Sequence, residues 1–286
     1  MSKFFDETVR ARKTTAPLEA VNLGGVHQSI LESTPAVQLP LNGPGGSRLE
    51  HCRKSSLPLS AFLQAQFKGS DTIEPAEESY RALRTRLLRT KASQGLRSVV
   101  ITSAATAEGK TLTSLNLAIC CAQLHDMQVL LIDGDIRSRG LTQVLGYPPS
   151  PGLAEILEGK AEPEKAILST DLPNLYVLAA GSSNVPPPEL FAGHRWQELI
   201  GWGSESFKLI LVDSPPVLNL SDMELIGAAC DGILMVVRAL HTPREMLAKA
   251  AHQIDSKKLL GIVYNAVEKS SHQRYHYRAY SSGLKD

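Results

Sequence analysis

The sequence predicts an α/β protein with a doubly wound, mainly parallel sheet, and three observations carry that expectation. Runs at Ser98–Thr102, Gln128–Ile132, Asn174–Leu178, Lys208–Val212, Gly232–Val237 and Leu259–Tyr264 are short and apolar, as strands covered on both faces should be. Helical stretches separate them, and that alternation builds parallel sheets. Two of the runs, Val129-Leu-Leu-Ile-Asp-Gly-Asp135 and Phe207-Lys-Leu-Ile-Leu-Val-Asp213, reach aspartate where the chain leaves the sheet. Open α/β sheets bind ligands outside such carboxyl ends.

The chain begins with a segment unlike the rest. Residues 1–70 carry Gly43-Pro-Gly-Gly-Ser47, scattered prolines and no sustained helical or strand period, so they read as a mostly disordered leader with short helices near Phe4 and Ile30. Residues 71–268 read as the folded domain. It opens on a highly charged helix over Ala76–Ala92, continues through the six strands, and is interrupted by loops at Gly146–Gly152 and Gly181–Pro188. Ser221-Asp-Met-Glu224 and Thr242-Pro-Arg-Glu245 have capping-box spacing and place helix starts directly after strand ends. Residues 269–286 read as a flexible tail containing Tyr275, Tyr277 and Tyr280.

Thirty basic residues oppose 29 acidic ones, a net charge of +1, so no global field selects nucleic acid or an anionic membrane. Cys52, Cys120, Cys121 and Cys230 lack paired metal spacing, and three of them lie in apolar stretches that read as core. A reducing cytoplasm suits them. No apolar run reaches the roughly 18 residues of a membrane span, and the start lacks the apolar core of a signal peptide. Work at a membrane would therefore require recruitment by a partner.

The chemistry concentrates after the first apolar strand, where Glu108-Gly-Lys-Thr111 leads into a helix. A helix start aims unpaired backbone N–H groups and the positive end of the helix dipole at one point, and Lys110 adds a cation there. Thr111 offers a hydroxyl for magnesium, as a phosphate loop requires. The full pattern wants a glycine five residues before Gly109, where this chain has Ala104. Each aspartate alone could merely start a turn, but Asp133, Asp135 and Asp213 in this order after a Gly-Lys-Thr point to one shared crevice.

These residues resemble those of the bacterial tyrosine kinases, polysaccharide-associated autokinases built on a P-loop NTPase fold of the MinD/ParA type. Thr102-Ser-Ala-Ala-Thr-Ala-Glu-Gly-Lys-Thr111 is similar to the family's first nucleotide motif, Ile132-Asp-Gly-Asp-Ile-Arg137 to its second acidic motif and Val212-Asp-Ser-Pro-Pro216 to its third. The resemblance runs from about Glu74 to the C-terminus and includes Pro188-Glu-Leu190, Val236-Val-Arg238 and Gly261-Ile-Val-Tyr-Asn265, the last on the nucleotide-base side. Glu78-Ser-Tyr-Arg-Ala-Leu-Arg84 fits the pattern through which such kinases assemble into rings. Arg274-Tyr-His-Tyr-Arg-Ala-Tyr280 resembles the C-terminal tyrosine cluster that they phosphorylate. Without the family, Glu78, Arg81 and Arg84 are simply one helical face that pairs with itself, and the three tyrosines are a basic, aromatic tail. His272 and His276 lie one helical turn apart with no carboxylate between them, which makes no metal set.

The resemblance implies ATP and Mg2+ as cofactors. It implies contacts to nucleotide from Ala107, Glu108, Gly109, Lys110, Thr111, Leu112, Arg238 and Asn265, with Thr111, Asp133 and Asp213 at the metal. Lys110, Asp133, Asp135 and Asp213 would carry catalysis, Asp135 taking the tyrosine proton, while Arg137 would orient Asp135 or touch phosphate. Expected partners are other copies of the chain in a ring and a separate membrane-embedded activator of the polysaccharide co-polymerase type, at the inner face of the plasma membrane. The family usually has Pro-Gly where Thr106-Ala107 stands, and the loss of glycine restricts a loop that must wrap phosphate closely. Two rivals share the fold class or the setting. A ParA/MinD-like ATPase switch would carry a second lysine early in the loop, where this chain has Ala105. An adaptor of a polysaccharide assembly complex would bind nucleotide weakly.

Overall fold

The computed structural model describes residues 49–54, 73–148, 150–218 and 221–267. Within them one sheet is formed by β1 (Arg53–Lys54), β2 (Ser98–Ser103), β3 (Val129–Asp133), β4 (Leu168–Ser169), β5 (Leu175–Leu178), β6 (Leu209–Asp213), β7 (Gly232–Arg238) and β8 (Leu259–Asn265). Their spatial order is β1-β4-β5-β3-β6-β2-β7-β8, and every pairing is parallel except β4 with β5. This is the mainly parallel sheet that the apolar runs implied. The six expected strands all form, each ending one residue later than expected or coinciding with its bound, so that β3, β6 and β8 close on Asp133, Asp213 and Asn265.

Helices cover both faces. One face holds α1 (Ile73–Gln94), α2 (Lys110–Ala122) and α3 (Gly140–Leu145). The other holds α4 (Leu153–Leu157), α5 (Pro163–Ala166), α6 (Pro187–Ala192), α7 (His194–Ser206), α8 (Asp222–Ala229) and α9 (Arg244–Gln253). The strand pleat sorts side chains between the two layers. The first layer joins Val99, Ile101, Val129, Leu131, Leu209 and Leu211 to Leu115, Leu117, Ala118 and Cys121 of α2 and Leu87 of α1. The second joins Val100, Leu130, Ile132, Ile210 and Val212 to Phe191, Trp196, Trp202 and Ile226. β2, β3 and β6 are buried along their whole length, which is why those strands are apolar without alternation.

Several expectations change. The charged helix is longer than Ala76–Ala92, running from Ile73 to Gln94. Residues 49–54 fall inside the expected leader, yet Arg53–Lys54 adds an edge strand to β4 and Cys52 is buried against the second core layer. The remaining residues up to 48 and 55–72 lie outside the described ones, as do the expected short helices near Phe4 and Ile30. Neither capping box forms. Ser221 precedes α8 in helical backbone, φ −71° and ψ −18°, with no side-chain cap bond, whereas a capping hydroxyl needs extended backbone to reach the N–H groups ahead. Thr242 stands one residue too early, because α9 begins at Arg244 with Pro243 as its cap residue. Its hydroxyl goes to Glu108 instead.

Candidate active site

The parallel sheet brings the ends of β2, β3, β6, β7 and β8 to one edge, and the sequence-expected residues gather there. β2 runs into a loop that turns at Ala107, φ 61°, and Gly109, φ 88°, before α2 starts at Lys110. Gly109 is required by both its backbone and its surroundings, since a Cβ there would strike the Asn265 amide. Ala107 holds the left-handed conformation without being glycine, at a cost of about 1 kcal/mol. It is the position at which the resemblance leads one to expect glycine. Lys110 points across to Asp135, with Nζ 3.3 Å from Oδ2 and the side chain only 13% exposed.

The two aspartates at the strand ends face each other. Asp133 and Asp213 are register partners on β3 and β6, and both are fully buried. Thr142 donates its amide and its hydroxyl to Asp133 Oδ2, at 2.8 and 2.6 Å. Ser114 donates to Asp213 Oδ1 at 3.2 Å, and the Thr111 side chain lies near enough to favour the charged carboxylate. The other oxygen of each, Asp133 Oδ1 and Asp213 Oδ2, is buried with no hydrogen-bond partner. Burial pushes the Asp133 carboxyl up to about 6 despite the Thr142 bonds. Burial likewise raises Asp213 to about 7, against the opposing pull of Lys110. Two half-satisfied carboxylates beside a threonine hydroxyl are hard oxygen donors of the kind that could hold a magnesium ion. Among the described residues no three His, Cys, Asp or Glu side chains form a metal cage, and a magnesium ion that keeps several waters does not need one.

The turn after β3 carries Asp135, which is 2% exposed. Its Oδ1 accepts the Ser138 amide at 3.1 Å. Gly134 fits beneath because it has no side chain, a Cβ there lying 2.9 Å from Val212 Cγ1 and 3.0 Å from the Asp213 carbonyl. Arg137 makes its side-chain hydrogen bonds to a residue other than Asp135. Its guanidinium is drawn away to Asp222 at the start of α8, with Nε 2.8 Å and a second nitrogen 3.3 Å from the carboxylate, because that carboxylate is buried and needs a cation.

At the end of β8, Asn265 donates to the Glu108 carbonyl at 3.0 Å. Arg238, its register partner on β7, is exposed, and Leu112 in the first turn of α2 is 43% exposed. Glu108 itself is buried, with its carboxylate turned into the loop. On α1, Arg81 pairs with Glu77 and Glu78 at 3.1 and 3.5 Å, while Arg84 donates to the Cys120 carbonyl at 2.7 Å. Tyr275, Tyr277 and Tyr280 lie outside the described residues. Sequence reasoning missed Ser114, Thr142, Asp222 and the loop contact of Thr242. Only Ser114 was open to inference, one helical turn past Lys110 on the face that meets β6.

Residues 99–285 match the family model described as CobQ/CobB/MinD/ParA nucleotide binding domain. The chain is 32% identical over 202 residues to Tyrosine-protein kinase YwqD of Bacillus subtilis, covering 70% of this chain and 85% of that protein. This chain belongs to the bacterial tyrosine kinases. A longer kinase, the Tyrosine-protein kinase ptk of Acinetobacter johnsonii, is 31% identical over 77% of this chain, which spans only 29% of that protein's length. Among solved structures, the kinase domain of the Escherichia coli tyrosine kinase ETK superposes with a TM-score of 0.64 at 29% identity, covering 73% of this chain and 82% of that one. The P-loop NTPase fold and nucleotide binding follow from the family. Among the described residues no helix is long and apolar enough to cross a membrane.

Proposed function

We infer that this tyrosine kinase transfers the γ-phosphoryl group of ATP to Tyr275, Tyr277 and Tyr280 of neighbouring copies, and that it regulates exopolysaccharide or capsule biosynthesis or export. The observation that carries the reading is the pair of buried carboxylate oxygens left unpartnered on Asp133 and Asp213 beside the Lys110 loop. Phosphoryl transfer depends on positioning and on neutralising charge around a loose transition state. Lys110 and the loop amides would hold the β- and γ-phosphates. Thr111 and Asp213 would hold Mg2+ directly or through water, with Asp133 supporting its water shell, and the bound ion would offset phosphate charge.

Asp135 is the base in this scheme. In the free chain it is tied to Lys110, so movement of Lys110 toward phosphate would release it. It then accepts the tyrosine hydroxyl proton as the tyrosine oxygen bonds to Pγ and the bond from Pγ to the ADP oxygen breaks. Arg238 and Asn265 lie on the base side. Glu78, Arg81 and Arg84 would join copies into a ring, so that one tail reaches the next site, and a separate membrane-embedded activator of the co-polymerase type would bring the assembly to the inner face of the plasma membrane. Phosphorylating several tyrosines adds roughly two negative charges each, which would loosen the ring.

The test is to incubate the purified chain with ATP and magnesium, with and without the cytoplasmic segment of a candidate activator, and to map phosphotyrosine by mass spectrometry. Phosphate on the three tail tyrosines that vanishes in Lys110→Met supports the kinase reading. ATP turnover without phosphotyrosine would select a ParA/MinD-like switch, a reading Ala105 already disfavours, and neither activity would leave an adaptor.

A further inference from the structure

We propose that Thr242 is a positioning residue which, with Glu108 and Asn265, clamps the phosphate loop in its nucleotide-ready shape against the backbone strain at Ala107. The inference rests on the ATP-binding reading and adds a residue to it. The loop has an internal difficulty. Between β2 and α2 it passes through two left-handed residues, Ala107 and Gly109, and a residue with a Cβ occupies that conformation less readily than glycine by a factor of roughly 5 to 30. Left alone, such a loop would open.

Three bonds oppose the opening, and all converge on Glu108. Its Oε2 accepts the Ala104 amide at 3.0 Å, which closes the loop on its own start. Its Oε1 accepts the Thr242 hydroxyl at 2.6 Å, which ties the loop to the connection between β7 and α9. Its carbonyl accepts the Asn265 amide at 3.0 Å, which ties it to the end of β8. Glu108 is 2% exposed, so each carboxylate oxygen needs its donor. The clamp also solves an electrostatic problem. A carboxylate one residue from Gly109 would repel phosphate if it faced the crevice, and Thr242 holds it turned away. Residues 108, 242 and 265 are far apart in sequence, and only the parallel order β2-β7-β8 brings them together.

The experiment uses the full chain and measures Mg-ATP affinity and steady-state kinetics for the parent, Thr242→Val, Thr242→Ser, Ala107→Gly and the Ala107→Gly plus Thr242→Val pair. Thr242→Val should weaken Mg-ATP binding by roughly 10- to 100-fold, raising KM for ATP more than it lowers kcat. Thr242→Ser, which keeps the hydroxyl, should stay within about threefold of the parent. Ala107→Gly should recover most of the loss in the Val background while changing the parent much less, since the clamp and the strain oppose each other. Equal effects of Ala107→Gly in both backgrounds, or equal affinities for the Ser and Val variants, overturn the clamp. Hydrogen exchange of the 104–109 amides without nucleotide gives an independent readout. Thr242→Val should speed it by at least tenfold, and unchanged exchange sinks the clamp even if the parent fails to bind ATP, a result that would instead sink the kinase reading.

Discussion

Asp213→Asn should make the nucleotide-free protein more stable at pH 8 while abolishing kinase activity. Asp213 is fully buried, one of its oxygens has no partner, and burial raises its carboxyl from 3.8 to about 7. In the unfolded chain it ionises at its ordinary value, so between pH 4 and pH 7 the unfolded state holds fewer protons and stability falls as pH rises. At 1.36 kcal/mol per unit, the full penalty above pH 7 is about 4 kcal/mol. Asparagine removes the charge but bonds Ser114 less strongly than a carboxylate would, at a cost of about 1 kcal/mol. A net gain of about 3 kcal/mol remains, worth roughly 6 to 12 °C in Tm for a domain of this size. Thermal melts without nucleotide at pH 4 and pH 8 are the assay. The gain should appear at pH 8 and vanish at pH 4, where folded Asp213 is protonated and the unfolded chain has only begun to ionise it, so that little of the penalty has built up. An Asn variant no more stable than the parent at pH 8, or a difference that does not depend on pH, would refute the view that Asp213 is a buried charge waiting for a cation.

Asp133→Asn should show the same sign with a smaller gain, because its carboxyl is raised only to about 6; the same two melts measure it. In the parent, Mg-ATP should raise Tm by several degrees at pH 8, and this increment should be lost in both variants, as differential scanning fluorimetry would show. Arg137→Ala should cost about 2 kcal/mol in urea denaturation by leaving the buried Asp222 carboxylate uncompensated, less than a fully buried pair would because the guanidinium is half-exposed. Asp222→Asn should cost less than Arg137→Ala, and the reverse order would show that the pair does not join the β3 turn to α8. Gly134→Ala should reduce stability by about 1 to 3 kcal/mol and kinase activity by more than tenfold, since the added methyl meets Val212 and the Asp213 carbonyl.

What could be read in advance was whatever repeats along the chain or sits at a strand end. Apolar runs marked out the sheet because a strand covered on both faces has little freedom in composition, and Asp133 and Asp213 announced themselves by ending two such runs. The same reasoning failed for Thr242. Its spacing to Glu245 satisfied a local capping rule, yet a hydroxyl goes where a buried acceptor needs it, and Glu108 supplied that need from 134 positions away in sequence. The expected pairing of Arg137 with Asp135 gave way for a related reason. Proximity to Asp135 suggested a local partner, but Asp222 draws the guanidinium instead, and α8 is fixed in place by the bond from Trp196 Nε1 to the Ile226 carbonyl. Strands β1 and β4 were invisible because two residues set no period.

Arg84 has a bearing on how ring assembly should be tested. The motif Glu78-x-x-Arg81-x-x-Arg84 suggests that all three residues face a neighbour, but within one chain Arg84 already closes α1 onto α2 through the Cys120 carbonyl. That carbonyl lies in the last turn of the helix that begins at Lys110, so Arg84 satisfies a C-terminal acceptor and opposes the negative end of that helix dipole. Removing Arg84 should therefore loosen α1 by about 1 to 2 kcal/mol in a single folded chain. A loss of assembly in a variant lacking both arginines would not distinguish a broken interface from a displaced helix. Arg81 is the cleaner probe, because its carboxylate partners, Glu77 and Glu78, are exposed neighbours on α1 and its removal costs the fold little. Arg81→Ala should keep the parent's Tm within about 1 °C and lower the oligomer mass seen by light scattering. An unchanged mass in an oligomeric preparation would take Arg81 out of the interface, and a fall in mass only in Arg84→Ala, together with a lowered Tm, would assign the motif to helix docking within the subunit.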